Sequence, residues 1–152
     1  MMMKSMSLIF IFLFLFLGFH MAHASEKASV ADLDLDALRW KNRVLVLFSP
    51  SESDASFQLQ KQGLATSAQG VLEIIEQGQS RVGNQILSGK SVQDIRKRLG
   101  VHTGLFQVLL IGKDGGVKLR SREPVSMKDL FGLIDSMPMR RQEMESGERP
   151  RP

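Results

Sequence analysis

The chain has 152 residues, is 43% hydrophobic and 24% charged, carries a formal net charge of +4 and contains no cysteine. Such a length holds one domain, or one domain with tails. The missing thiols exclude a disulfide scaffold, thiol catalysis and cysteine-based zinc sites.

Residues 1–24 differ from the rest. They hold five of the nine Phe, five of the nine Met and a single charged side chain, Lys4. Lys4 and the free amine form a small positive region. Residues 8–17 are an unbroken apolar run of ten, Gly18 breaks it, and Ala22-His23-Ala24 supplies a small-x-small cleavage pattern. Ten apolar residues fall short of the roughly 20 that a spanning helix needs. Residues 1–24 therefore read as a signal peptide cut between Ala24 and Ser25. The protein is expected to be exported, to a periplasm or the extracellular space. Membrane attachment is expected only through an uncleaved signal.

The remaining 128 residues carry 19 Lys and Arg against 16 Asp and Glu. Residues 25–31 are small and polar and read as a flexible lead-in. Leu33, Leu35, Leu38 and Trp40 read as a short cap reaching the core. Residues 43–48 are continuously apolar and β-branched, which describes a strand covered on both faces. Ser53 or Asp54 can cap a helix over residues 55–67, weakened by Gly63. A second strand follows at 71–76, then a Gly-, Ser- and Gln-rich loop at 77–89. Ser91 and Asp94 form a capping pair for a helix over 92–99, with Gly100 as its stop. Residues 106–111 are a third strand. Asp114-Gly115 supplies a hairpin turn, and 117–120 alternates as the partner strand. Ser126 and Asp129 cap a last helix with Leu130, Phe131, Leu133 and Ile134 on its apolar face, ended by Pro138. Residues 140–152, with four Arg, three Glu and two Pro, read as a disordered charged tail. The domain is thus placed at 32–139. Strands alternating with helices and closed by a hairpin and a helix argue for an α/β mixed sheet flanked by helices, in the element order of the thioredoxin fold.

Several segments are also familiar as sequence. Residues 36–43 lead into the first strand and 48–51 follow it. Residues 110–120 form the hairpin, and Met137-Pro138-Met139-Arg140-Arg141 closes the last helix. Together they resemble the bacterial family called domain of unknown function 4174, over about residues 30–145. That family is similar to a domain repeated in vertebrate secreted and matrix proteins, the sushi-repeat group. The resemblance implies a thioredoxin-like, peroxiredoxin-like fold and no particular activity.

In that fold the redox site lies just after the first strand, at the start of the first helix, where the helix dipole lowers a thiol's pKa. Here Ser51, Glu52 and Ser53 occupy the place. A hydroxyl cannot exchange disulfides. The stretch before the third strand, residues 102–106, lacks the fold's usual proline. The residues read as a cap and a turn. An alternative is an envelope enzyme, hydrolytic or antioxidant, using the Ser51-Glu52 loop. It requires Glu52, His102 and Arg120 to converge on Ser51, because a hydroxyl nucleophile needs a base.

Other motifs weigh less. Gly89-Lys90-Ser91 resembles the end of a phosphate loop, but Asn84 stands where that loop needs glycine. Asp32, Asp34 and Asp36 have alternate spacing without the rest of a calcium loop. His102 is the only histidine after residue 24, so no metal or cofactor is expected. Trp40 reads as core rather than as a sugar platform. Lys113, Lys118, Arg120 and Arg122 make a candidate anion-binding patch, with Lys118 and Arg120 on one strand face. The competing reading is an edge strand protected by its charges. Charge is too balanced for a dedicated nucleic-acid binder. The leading expectation is an exported, non-catalytic module that binds a protein or an extracellular polyanion.

Overall fold

The computed structural model describes residues 30–64 and 71–147. The expected signal segment, most of the lead-in and residues 148–152 lie outside the described residues. In chain order come β1 (Val30–Ala31), a 3-10 turn (Leu35–Leu38), β2 (Val44–Ser51), α1 (Ala55–Leu64) and β3 (Val71–Gln77). There follow β4 (Arg81–Val82), β5 (Gln85–Leu87), α2 (Gly89–Leu99), β6 (Gln107–Ile111), β7 (Val117–Ser121), α3 (Met127–Ser136) and α4 (Pro138–Glu145).

The seven strands form one sheet in the order β1-β5-β4-β3-β2-β6-β7. β2 runs parallel to β3 on one side and antiparallel to β6 on the other, and β6 pairs antiparallel with β7. A parallel β2-α1-β3 unit, an antiparallel hairpin on the far side of β2 and a closing α3 are the thioredoxin arrangement. The fold is α/β and thioredoxin-like.

Period-two alternation along the central strands divides the core in two. Val46, Phe48, Leu72, Ile74, Leu109 and Ile111 pack with Ile95 and Leu99 of α2. Leu47, Ile75 and Val108 pack with Phe57 and Leu64 of α1 and with Leu130 of α3. β2 is central and covered on both sides, which is why its sequence shows no alternation.

Asp54 caps α1, its Oδ1 accepting from Phe57 N at 2.9 Å. Ser126 caps α3 through Asp129 N at 3.1 Å. Gly100 ends α2 in the left-handed conformation, at φ 60°. The cap of α2 is Ser88, not Ser91. Ser91 is buried, and its Oγ accepts from Leu33 N at 2.9 Å, which docks the β1 segment onto α2.

Six further expectations are corrected. Val30–Ala31 is no loose lead-in; it pairs in parallel with β5. The segment 77–89 contains the β4–β5 hairpin, with Val82 paired to Gln85 across a two-residue Gly83-Asn84 turn and Gly83 at φ 55°. Pro138 does not simply end α3. It occupies the first turn of α4, where its missing N–H has no intrahelical partner to lose. Residues 140–145 are therefore helical rather than a disordered tail. Trp40 is not core: it is 63% exposed, with a positive φ of 64°. Phe131 also faces outward, at 48% exposure, so the buried stripe of α3 is narrower than its composition implied.

One buried polar group ties the two ends of the domain. Gln60 on α1 is 1% exposed; its Nε2 donates to Val125 O at 3.1 Å and its Oε1 accepts from Val125 N at 2.6 Å. The amide thereby replaces a strand partner for the segment leading into α3. Gln60→Met keeps the volume and leaves both Val125 groups unpaired. Each buried unpaired group costs about 1–3 kcal/mol. Urea denaturation should show a loss of about 2–4 kcal/mol, with an unchanged m-value.

Candidate functional site

The place of a thioredoxin redox centre is filled by short-range polar bonds. Ser49 is fully buried and its Oγ donates to Ser51 O at 2.7 Å. Ser51 Oγ lies 3.1 Å from Ser53 Oγ. Gln58 Nε2 donates to Glu52 O at 2.6 Å. The Glu52 side chain leans onto the β3–β4 turn, where Gln79 N approaches its Oε1 at 3.4 Å. Only glycine at 78 permits this, since a Cβ there would meet Glu52 Cγ and Oε1 at 3.0 Å and Ile75 Cγ2 at 2.9 Å.

The loop before β6 is closed differently from a proline-containing one. Glu76, at the end of β3, accepts from Gly104 N at 2.6 Å through Oε1 and pairs with Arg96 at 3.5 Å. The Arg96 guanidinium lies 5.3 Å from the Phe48 ring centroid, a cation–π distance. Sequence reasoning missed Glu76 and Arg96, because neither belongs to a motif.

Among the described residues, Glu52, His102 and Arg120 do not converge on Ser51. His102 is exposed, and among the described residues no hydrogen bond joins it, Arg120 or the Glu52 carboxylate to Ser51. Arg120 points elsewhere: its Nη2 donates to Leu99 O at 2.6 Å and its Nη1 to Gln107 Oε1 at 3.1 Å. It caps the end of α2.

The four basic candidates are likewise drawn apart. Lys113 Nζ lies 2.7 Å from Glu143 Oε1, and Lys118 Nζ 2.6 Å from Asp114 Oδ2. A register shift between Leu110 and Ile111 leaves Lys118 unpaired in the ladder. Its ammonium turns back to the hairpin while Arg120 reaches α2. Arg122 is exposed and has no ion-pair partner among the described residues. The three aspartates before β2 are also engaged: Ser88 donates to Asp32, and Arg98 pairs with Asp36 at 2.6 Å and approaches Asp34 at 4.0 Å. Lys90 pairs with Asp94 at 2.6 Å.

What the hairpin does join is a second corner. Glu143 on α4 takes Arg43 on its two oxygens, at 3.1 and 3.3 Å, with Lys113 at 2.7 Å and Arg140 at 3.6 Å. Lys113 O accepts from Trp40 N at 2.6 Å. Arg39 lies against Gly115, where a Cβ would come within 3.0 Å of its Nε, and sits 5.9 Å from the Trp40 ring.

A family profile described as a domain of unknown function, DUF4174, matches residues 34–143. The chain belongs to this family. The matched DUF4174 region ends at Glu143, inside α4, and so includes every group of that corner. Among curated relatives, coiled-coil domain-containing protein 80 of Danio rerio is 32% identical over 72% of this chain and 15% of its own length. Sushi repeat-containing protein SRPX2 of Xenopus laevis is 31% identical over 67% of this chain and 24% of its own length. The DUF4174 chain thus spans a quarter or less of these relatives. Among solved structures, Plasmodium yoelii thioredoxin peroxidase I is 17% identical, with a TM-score of 0.47, over 77% of this chain and 83% of that one. The fold assignment rests on strand order and direction, independently of that likeness.

Burial alone would raise the Glu143 carboxyl, but the hydrogen bonds from Lys113 and Arg43 outweigh it and hold it below the ordinary value of 4.5. A carboxylate whose folded pKa is depressed stabilises the fold fully above its unfolded pKa, and that contribution disappears as pH falls through the folded value. Two outcomes follow. Glu143→Gln should lose about 1–3 kcal/mol at neutral pH, since hydrogen-bonded cations lose their charged partner. The wild type should lose more stability than Glu143→Gln as pH is lowered from about 5 to 3, measured by urea denaturation at each pH.

Proposed function

We propose that this chain is an exported, non-catalytic thioredoxin-like module that holds a partner and turns over no substrate. The observation that carries the reading is the redox position itself. Ser51, Glu52 and Ser53 stand there, bonded to one another's loop and to the β3–β4 turn, in a chain with no cysteine. Disulfide exchange needs a thiolate, and a serine nucleophile needs an adjacent base. Export rests on the residue pattern of positions 1–24. No helix among the described residues is long and apolar enough to cross a membrane.

The partner is proposed to be a protein or an extracellular polymer with anionic groups. Support comes from the basic hairpin, although Lys118 and Arg120 have internal partners. Lys113 is likewise paired, with Glu143, so the proposed contact region is the α4 corner as a whole, with Arg122. A thioredoxin-like sheet hosts many functions, so the fold itself adds nothing to the choice.

Two measurements test the reading. Protein recovered from the envelope should begin at Ser25; an N-terminus that still contains residues 8–17 would contradict export by cleavage. Purified protein should reduce neither insulin nor peroxide above the buffer rate with dithiol supplied, and Ser51→Ala should change nothing. Turnover abolished by Ser51→Ala would overturn the non-catalytic reading.

A further inference from the structure

Three segments distant in sequence meet at the α4 corner: the start of β2, the β6–β7 turn and the α3–α4 junction. They enclose a cavity of about 240 Å³ whose lining includes Arg43, Lys113, Asp114, Lys118, Met137 and Met139. Its surface is largely apolar, from the two methionines, Pro138 and the stems of the long side chains, with three cations and one carboxylate, Asp114, among the lining residues.

The lining has donors left over. Arg43 uses Nη1 and Nη2 on Glu143, and its Nε is buried with no hydrogen-bond partner. Met137 makes no side-chain cap bond at the start of α4, and Arg141 N, bonded to Met137 O at 3.0 Å, opens the helix's hydrogen-bond ladder. The N–H groups of Met139 and Arg140 therefore have no intrahelical acceptor. Charge is also left over. Arg43, Lys113, Lys118 and Arg140 are paired with only three carboxylates, Glu143, Asp114 and Asp135.

We propose that this cavity binds a monoanion consisting of one carboxylate on a short apolar group. The carboxylate takes the free donors of Lys113 and Lys118 and the open N–H groups at the start of α4, and the apolar group lies against Met137 and Met139. The single excess positive charge selects a monoanion; a phosphate dianion would be repelled by Glu143 and Asp114. The cavity is smaller than the roughly 300–1,000 Å³ of drug-sized sites, so the buried part of the ligand is small. A free short-chain acid and the C-terminal residue of a peptide offer the same chemistry. The proposal deepens the binding-module reading and rests on it.

The chain carries its own probe. Trp40 is the sole tryptophan and there is no tyrosine, and the backbone N–H of Trp40 donates to Lys113 O. Trp40 emission, with the amide shifts of Gly112, Lys113 and Met139, should respond saturably when the protein is titrated at low salt with butyrate or N-acetyl-leucine. Affinities in the millimolar range are expected for ligands this small. The neutral analogues 1-butanol and N-acetyl-leucinamide, and inorganic phosphate, should bind at least about tenfold more weakly, as expected when a charge-assisted hydrogen bond is missing. Lys113→Gln/Lys118→Gln should lose about tenfold, and a control pair of exposed lysines on α2 and α3, Lys97→Gln/Lys128→Gln, nothing. Where the lysine variant fails to fold, Met139→Phe fills the cavity without touching charge and should abolish binding. Tighter binding of N-acetyl-leucine than of butyrate assigns the site to peptide C-termini; equal binding assigns it to free acids. No saturable response, equal response to the neutral analogues or phosphate, or equal loss in the Lys97/Lys128 control overturns the proposal. None of these outcomes bears on catalysis, which insulin and peroxide turnover decide separately.

Discussion

Glu143 is the group on which the corner of this domain depends. It is a carboxylate mostly withdrawn from water, 14% exposed, and it is shared by Arg43, Lys113 and Arg140. Each of those cations belongs to a different segment. Arg43 precedes the central strand β2, Lys113 opens the hairpin turn and Arg140 belongs to the first turn of α4. Withdrawing charges from water is unfavourable unless geometry and hydrogen bonding are good. Here the bidentate Arg43 pair meets that condition. The ion pairs explain why a segment as polar as α4, with no buried residue of its own, folds onto the domain. They also hold the hairpin turn in place, so that Trp40 can bond to Lys113 O although its own backbone lies in a strained region.

The redox end of the fold shows the opposite pattern. A working thioredoxin centre leaves a reactive group exposed at a helix start. In this chain the corresponding loop satisfies its polar groups locally, through Ser49, Ser53, Gln58 and Gln79. Glu76 and Gly104 close the facing loop. The scaffold is kept without the thiols of its redox chemistry. The excess charge lies at the hairpin and α4, whereas buried unpartnered donors occur at both ends, on Arg43 and on Arg96 beside Glu76.

The legible parts of the sequence are those where local chemistry and tertiary context agree. β2, β3 and β6 announce themselves as apolar runs because a central strand is covered on both faces. The hairpin follows from Asp114-Gly115, α3 from its serine cap, and α2 from apolar periodicity and the Gly100 stop, although its cap lies at Ser88 instead of Ser91. The hidden parts depend on distant partners. β4 and β5 are short and polar, and only the Gly83-Asn84 pair, a two-residue turn signal, marks them. α4 looked disordered because its Arg and Glu residues lower hydropathy, and nothing local shows that Glu143 meets Arg43 across the fold. Trp40 was placed inside by its hydrophobicity, a rule that runs in one direction only. Arg120 matched an exposed strand face, and only the position of the α2 C-terminus reveals its carbonyl partner. Of the candidate site, the missing redox residues were visible at once, whereas the α4 corner required coordinates.

The most direct test of this organisation is a double-mutant cycle between Arg43 and Glu143, using Arg43→Met, Glu143→Gln and the pair, with stability read from urea denaturation at neutral pH. If the two groups form one interaction, each single change strands a charge or a donor, and the double variant is less destabilised than the sum of the singles. A coupling of about 1–3 kcal/mol is expected for groups in contact within one network. Additive losses, or singles within about 0.5 kcal/mol of wild type, would contradict the claim that Glu143 fastens α4 and the hairpin to the start of β2.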